Sequence, residues 1–283
     1  MKSALIMEGG AMRGMFTCGV IDVLMEHQIT FDAGAGISAG AVFGCNVKSG
    51  QIGRGIRYNK KYCRDPRYVS VRSLLRTGDL YGVDFCYRML PEELDVFDRE
   101  AFAANPMKFY IGATDVETGM PVFHRCTDGG EKDLKWMQAS ASMPLVSRIV
   151  ETDGKKLLDG GIVCAVPYRF MERLGYDRNV IILTQPLSYV KKKSPILPLF
   201  RLCYRKYPEI PRAMALRHRR YNRQMEEIRE RELDGRALVI RPPEALGISR
   251  TEKDPEELQR VYETGRAEAE RRLDEIREFL SVR

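Results

Sequence analysis

Gly36-Ile37-Ser38-Ala39-Gly40 places a serine midway between two glycines. The small-residue run Ala33-Gly34-Ala35 precedes it and the apolar Ala41-Val42-Phe43 follows, so the expected order is strand, sharp turn, helix. A turn that lifts one side chain out of the backbone leaves no room for side chains two residues to either side, and glycines meet that demand. A helix opening at Ala39 would aim its free N–H groups and positive dipole end at charge developing near the serine oxygen. Ser38 is therefore a candidate nucleophile. A serine nucleophile needs a base within hydrogen-bond reach. The chain has 3 histidines. His27 closes the first helical stretch and His124 falls in a hairpin strand. His218 lies in Arg217-His218-Arg219-Arg220, where neighbouring cations oppose the charged form that a base must take. Asp159, at a strand end in Asp159-Gly160-Gly161, is the better candidate, and His218 stays as a rival because it follows Ser38 and Asp159 in hydrolase order.

These residues need elements to hold them. Ser3 to Met7 reads as a strand, followed by the loop Gly9-Gly10-Ala11-Met12-Arg13-Gly14 and a helix. The loop fails as a Walker A motif because Met15 stands where a lysine is needed, and it meets the dinucleotide fingerprint only in part because Ala11 replaces the middle glycine. Asp32 is the residue that would then reach a ribose. The alternative is a loop whose backbone N–H groups face an oxyanion. Phe109 to Thr114 reads as a central strand, Val116 to His124 as a hairpin turning at Thr118-Gly119, and Lys135 to Met143 as a helix stopped by Pro144. A second hairpin turns at Asp153-Gly154 and delivers Asp159. Strands are expected at Val180 to Thr184 and Arg236 to Ile240, with Pro91 to Pro106 a helix pair or a loop. Asp254-Pro255 opens an amphipathic helix whose apolar face runs from Leu258 to Leu280.

The chain has 283 residues, 44% hydrophobic and 30% charged, and no run approaches the ~20 apolar residues of a membrane span. A soluble protein is expected. The glycine loop follows so closely on Met1 that no signal peptide fits, and 7 dispersed cysteines without a C-x-x-C pair suit a reducing compartment and no zinc site. The net charge is +7. Eight cations against Asp65 lie between Arg54 and Arg76, interleaved with Tyr58, Tyr62 and Tyr68, and ten against Glu209 lie between Lys191 and Arg220. Either stretch could touch an anionic membrane, with Ile196, Leu197, Leu199 and Phe200 adding apolar contact in the second. No RNA-binding module motif accompanies them, and nucleic acid is not expected as a partner.

The loop from Glu8 to Gly14, the Gly36 to Gly40 serine turn and Asp159-Gly160-Gly161, in this order and spacing, resemble the patatin-like phospholipase family. Thr114-Asp115 and the run Ala139 to Pro144 share the likeness, and the rest is similar to bacterial members with a basic C-terminal extension. The resemblance implies an α/β fold of three layers, α/β/α, with a mostly parallel sheet. Residues 1–185 would form the catalytic core. Residues 186–283 would add a basic excursion, one further strand and a C-terminal amphipathic helix packed on that core. The implied activity is a serine acyl hydrolase acting on lipid esters through Ser38 and Asp159, with no cofactor and no metal. Its oxyanion hole would draw on Gly9, Gly10, Ala11 and Arg13, with Arg13 bracing the loop, and Gly14, Gly36, Gly40, Gly160 and Gly161 would be the motif glycines. The expected location is the cytoplasm, with peripheral contact at the inner face of the membrane. Ala11 and Glu8 depart from the family's usual glycine and aspartate, so the hole persists if position 11 needs no left-handed backbone angle. The competing reading is a weakly active or inactive relative that serves as an anionic-membrane or nucleic-acid binding module.

Overall fold

In the computed structural model, which describes residues 1–281, the first strand β1 (Ser3–Met7) turns Leu5 and Met7 to one face of a sheet and Ala4 and Ile6 to the other. All four are fully buried, as a strand covered on both faces requires. The other strands are β2 (Ala33–Ile37), β3 (Lys108–Asp115), β4 (Pro121–Arg125), β5 (Val150–Thr152), β6 (Lys155–Asp159), β7 (Arg178–Ile182) and β8 (Ala237–Ile240). They form one sheet in the order β5-β6-β3-β2-β1-β7-β8, with β4 also on β3. The run β3-β2-β1-β7-β8 is parallel, while β4, β6 and β5 are antiparallel additions.

Helices cover both faces, so the expected three-layer α/β fold is present. One layer holds α1 (Gly14–Glu26), α2 (Ala39–Ser49), α3 (Arg54–Tyr62), α5 (Arg99–Ala104) and α6 (Glu131–Ala141), with α7 (Tyr168–Arg173) on the opposite face, while α4 (Val71–Thr77) buries no residue. After β7 come α8 (Leu197–Cys203) and α9 (Glu209–Leu233), and after β8 come α10 (Pro255–Arg271) and α11 (Leu273–Ser281). The C-terminal region is built into the layers. A Cβ on Gly19 of α1 would lie 2.1 Å from the Tyr262 carbonyl oxygen, and one on Gly265 of α10 would lie 2.1 Å from that of Phe16, so the two helices cross with backbones in contact. Tyr262 also donates to Asp22 at 2.8 Å.

One local reading is sharpened and three are corrected. The stretch expected as a helix pair or loop takes the helical form, as a π-helix over Phe85–Leu94 that begins before Pro91, followed by α5. The C-terminal helix is two helices that break at Arg272. The excursion after Lys191 contains the 25-residue α9, whose Ile210, Met214, Tyr221 and Ile228 recur at helical spacing. Leu197 and Phe200 form the buried face of α8, so only Ile196 and Leu199 of that apolar quartet face solvent.

Candidate active site

The two edges of β3 explain how residues 121 positions apart meet. On one edge β4 takes Tyr110 to Thr114, so β2 and β6 share the other. There β2 arrives in parallel, ending with Ile37 opposite Gly112, and β6 arrives from the opposite direction, ending with Asp159 opposite Ala113. Two strands thus run head-on along one neighbour and stop at adjacent positions. Ser38 leaves β2 at φ 54° and ψ −122°, a conformation non-glycine residues rarely adopt and one that costs roughly 1–3 kcal/mol. Its Oγ donates to Asp159 Oδ2 at 2.7 Å.

The surroundings pin this pair. The Ser38 N–H donates to Ser140 Oγ at 2.8 Å, and Ser140 donates to the Gly112 carbonyl at 2.6 Å, tying the turn to α6 and β3. A Cβ at Gly36 would meet the Gly40 carbonyl oxygen at 2.3 Å, and one at Gly40 the Met7 carbonyl oxygen at 2.4 Å, so both glycines are required sterically. Gly160 is equally constrained, since its Cβ would lie 2.5 Å from the Gly112 carbonyl oxygen. The second Asp159 oxygen accepts the Gly161 N–H at 2.7 Å. Burial raises the Asp159 pKa above the ordinary carboxylate value, opposed by the Ser38 hydroxyl, the Gly161 N–H and the Arg217 and Arg250 cations.

The first glycine loop lies directly over the serine, for a Cβ on Gly9 would be 2.9 Å from Ser38 Cβ. The N–H groups of Gly10 and Ala11 find no acceptor among the described residues, and Ala11 has a φ of 49°. The provision that position 11 needs no left-handed angle is not met: Ala11 adopts that angle, at a cost of roughly 1 kcal/mol, and still presents its N–H. Arg13 does not brace the loop. Its side chain makes no hydrogen bond among the described residues, and its Nε is buried without a partner. Glu8 is the brace instead. One carboxylate oxygen accepts the Thr184 N–H at 2.6 Å and hydroxyl at 3.1 Å, and the other accepts Tyr221 of α9 at 2.8 Å.

Two cavities meet at Ser38, and Ala11 and Met143 line both. One is narrow and apolar, ≈ 110 Å³, between Val42, Phe43, Tyr58, Tyr87, Leu90 and Met137. The other is a wider pocket of ≈ 940 Å³, with Arg13, Lys191, Arg217 and Arg250 in its walls. Arg217 donates to the Gly161 carbonyl at 2.7 Å, and burial lowers its pKa. Burial and the neighbouring Arg217, Arg13 and Arg250 push Lys191 down to about 8, against the pull of Glu8. Sequence reasoning gave Arg217 and Lys191 no role at the site. The signal for Arg217 was its position between Met214 and Tyr221 on the apolar stripe of α9, where a cation needs a reason.

The rival residues go elsewhere. Asp32 accepts the Ser3 N–H at 2.7 Å, His27 faces Glu270, and His124 lies 2.7 Å from Asp133, which also accepts three loop N–H groups. Cys126 joins His124 and Asp133 in a cluster of metal-ligand type that lines neither of the cavities at Ser38. His218 lines the wider pocket, and its buried Nδ1 has no partner among the described residues. Tyr58, Tyr62 and Tyr68, which sequence alone could not separate from a nucleic-acid surface, are core residues.

This combination of fold and site is that of a family. The model of the patatin-like phospholipases matches residues 5–171, more than half of the chain, and the chain belongs to the patatin-like phospholipase family. A second model, a domain of unknown function (DUF6363), matches residues 207–281. The uncharacterized protein YjjU of Escherichia coli K12 is 31% identical over 195 residues, covering 65% of this chain and 52% of that protein. The uncharacterized NTE family protein Rv1063c of Mycobacterium tuberculosis is 29% identical over 185 residues, covering 64% and 48%. Lysophospholipase NTE1 of Lodderomyces elongisporus is 24% identical over 255 residues, covering 84% of this chain and 17% of that protein. The chain thus spans about half the length of the first two relatives. A solved structure, VipD from Legionella pneumophila, aligns over 97% of this chain and 67% of its own with a TM-score of 0.44 and 12% identity.

Proposed function

We propose that this chain is a carboxylic ester hydrolase of the phospholipase A or lysophospholipase kind, using Ser38 as nucleophile and Asp159 as general base. The observation that carries the reading is the 2.7 Å hydrogen bond from Ser38 Oγ to Asp159 Oδ2 on a strained turn at the mouth of an apolar cavity. Ser38 Oγ attacks the ester carbonyl carbon while Asp159 takes its proton. The carbonyl oxygen becomes an oxyanion, received by the free N–H groups of Gly10 and Ala11. Collapse breaks the bond to the alcohol, which leaves with the proton held by Asp159, and the acyl group stays on Ser38. Water, deprotonated by Asp159, then attacks the acyl-enzyme, and collapse breaks the bond to Ser38 Oγ, which takes the proton back from Asp159 as the carboxylic acid leaves. A buried base suits this work, because burial brings the Asp159 pKa up toward the working pH.

Labelling with a fluorophosphonate probe tests this reading. Wild type should be modified at Ser38, mapped by mass spectrometry, and Ser38→Ala should stay unmodified. An unlabelled wild type, or equal labelling of both, would sink it in favour of the binding-module reading.

No helix among the described residues is long and apolar enough to cross a membrane. We place the protein in the cytoplasm, where unpaired cysteines persist, touching the membrane with the exposed Ile196, Leu199, Lys192 and Lys193 at the pocket rim. Each engaged lysine contributes about 1 kcal/mol on an anionic surface. Lys192→Glu/Lys193→Glu should therefore cut co-sedimentation with anionic vesicles roughly tenfold or more, and unchanged binding would remove this contact.

A further inference from the structure

Resting on the hydrolase reading, we propose that the wider pocket beside Ser38 is a headgroup site for a lipid ester that carries phosphate and a net negative charge, held by Arg13, Lys191, Arg217 and Arg250. The first ground is pairing. Across the molecule arginines meet carboxylates, as Arg57 does Asp95, Arg148 does Asp79 and Arg266 does Glu26. The four pocket cations have no carboxylate within ion-pair distance among the described residues, although they share one cavity. The two carboxylates in its wall are already engaged, Glu8 by Thr184 and Tyr221, and Asp159 by Ser38 and Gly161.

The second ground is an unmet donor. Arg13 Nε is buried with no acceptor among the described residues, a state that costs free energy until an anion arrives. Guanidinium forks match phosphate oxygens two at a time, and three of the four cations are arginines. Burial and mutual repulsion lower Lys191 and Arg217, and the charge of a bound anion offsets the repulsion.

The third ground is direction. Ser38 lies where the two cavities join, so an ester carbonyl placed there sends its acyl chain into the apolar side and its alcohol into the cationic side. A quaternary ammonium headgroup fits poorly. The aromatic faces that could receive it, Tyr189 and Tyr221, are covered by Lys191 Nζ, 5.4 and 4.1 Å from their ring centroids. Arg13 lies inside the 5–171 match while Lys191, Arg217 and Arg250 lie beyond it, so three of the four cations come from outside the patatin-like region.

Binding to Ser38→Ala, followed by thermal shift, reads the site without turnover. The probes are decanoylglycerol phosphate, decanoylglycerol and glycerol phosphate. The acylated phosphate should bind at least tenfold more tightly than decanoylglycerol, and Lys191→Gln and Arg250→Gln in that background should each weaken it roughly tenfold or more. Equal binding of the two acylated probes, or no loss in either variant, would overturn the proposal. Glycerol phosphate binding as tightly as its acylated form would overturn the lipid half and mark a site for soluble phosphate. Hydrolysis of the acylated probes by wild type is scored separately. Phosphate-dependent binding without turnover would defeat the hydrolase reading while supporting the anion site.

Discussion

The two cavities that meet at Ser38 are made by opposite means. The apolar one is walled by Val42, Phe43, Tyr58 and Met137, side chains from α2, α3 and α6 that also fill the core beneath the sheet. The wider one is walled by loops and by α9, which bring Arg13, Lys191, Arg217 and Arg250 together with Glu8 and Asp159 near them but no carboxylate within ion-pair distance among the described residues. Burying apolar walls stabilises the fold, whereas gathering unpaired cations works against it. The comparison separates a cavity that folding supplies from one that folding must tolerate, and substitutions on the two sides should differ accordingly.

The largest effect is expected where the cavities join. Asp159→Asn keeps both cavities but removes the base, so turnover of a short-chain ester should fall by three orders of magnitude or more. Ser38→Ala/Asp159→Asn should match either single change, because nucleophile and base act as one unit. Rates of the wild type should fall on the acid side as Asp159 takes up a proton, at a pH above the ordinary aspartate value of 3.8 because burial raises it. Robust turnover by Asp159→Asn with loss in His218→Ala would move the base to the cationic pocket.

Next comes the loop that roofs the junction. Gly10→Val puts a β-branched side chain where a Cβ would already lie 2.7 Å from Thr184 Oγ1, and should displace the N–H aimed at the oxyanion. Loss of one such donor costs about 10²- to 10³-fold in the turnover rate. A folded Gly10→Val protein with full activity would put the oxyanion elsewhere.

The apolar side should respond to chain length. Val42→Phe fills part of a cavity of only ≈ 110 Å³. Excluding three methylenes at roughly 0.8 kcal/mol each forfeits about 2.4 kcal/mol, or ~50-fold in kcat/KM for long-chain esters relative to acetate. Equal losses for acetate and decanoate would show that the acyl chain lies outside this cavity.

The cationic side should show the reverse trade in stability. Lys191 is held at about 8, below its ordinary 10.5, so its charged form is disfavoured by folding and penalises stability at neutral pH. Lys191→Gln should therefore raise the melting temperature, by an equivalent of about 1 kcal/mol, even as it weakens anion binding. The sign follows from linkage: above pH 8 the folded wild type sheds this proton before the unfolded chain does, so stability recovers with rising pH and the variant's advantage shrinks. A lower melting temperature for Lys191→Gln at pH 7 would show that the cation is not strained.

Much of the site was legible because its demands are local. The turn at Ser38 needs glycines at positions 36 and 40 wherever the rest of the chain goes, and the short continuous apolar run in Ser3 to Met7 marks a buried strand. The backbone at Ala11 was not legible, since the close packing of the loop on Ser38, and not the residue type, sets its positive φ. Nor was the role of Glu8, whose partners Thr184 and Tyr221 lie 176 and 213 positions away. Acyl and headgroup preferences share this difficulty, because the apolar cavity is lined by residues scattered from Ala11 to Met143 and the wider one by residues from Glu8 to Thr251.

The two basic stretches mark where sequence ends and tertiary structure begins. Composition alone determined that each carries a large excess of cations, and pattern alone determined the serine turn, the aspartate at a strand end and the order of the main strands. In the first stretch Arg54 is buried against the Asp95 backbone, Arg57 pairs with Asp95 and Lys60 bonds Gln259, so its charge is largely spent on holding the fold. In the second, Lys191 and Arg217 line a pocket whose two carboxylates, Glu8 and Asp159, are already engaged by other groups. Local sterics are written in neighbouring residues, but whether a cation is neutralised depends on which distant segment arrives beside it. The meeting of Ser38 with Asp159 was decided in the same way, by two strands converging on one edge of β3.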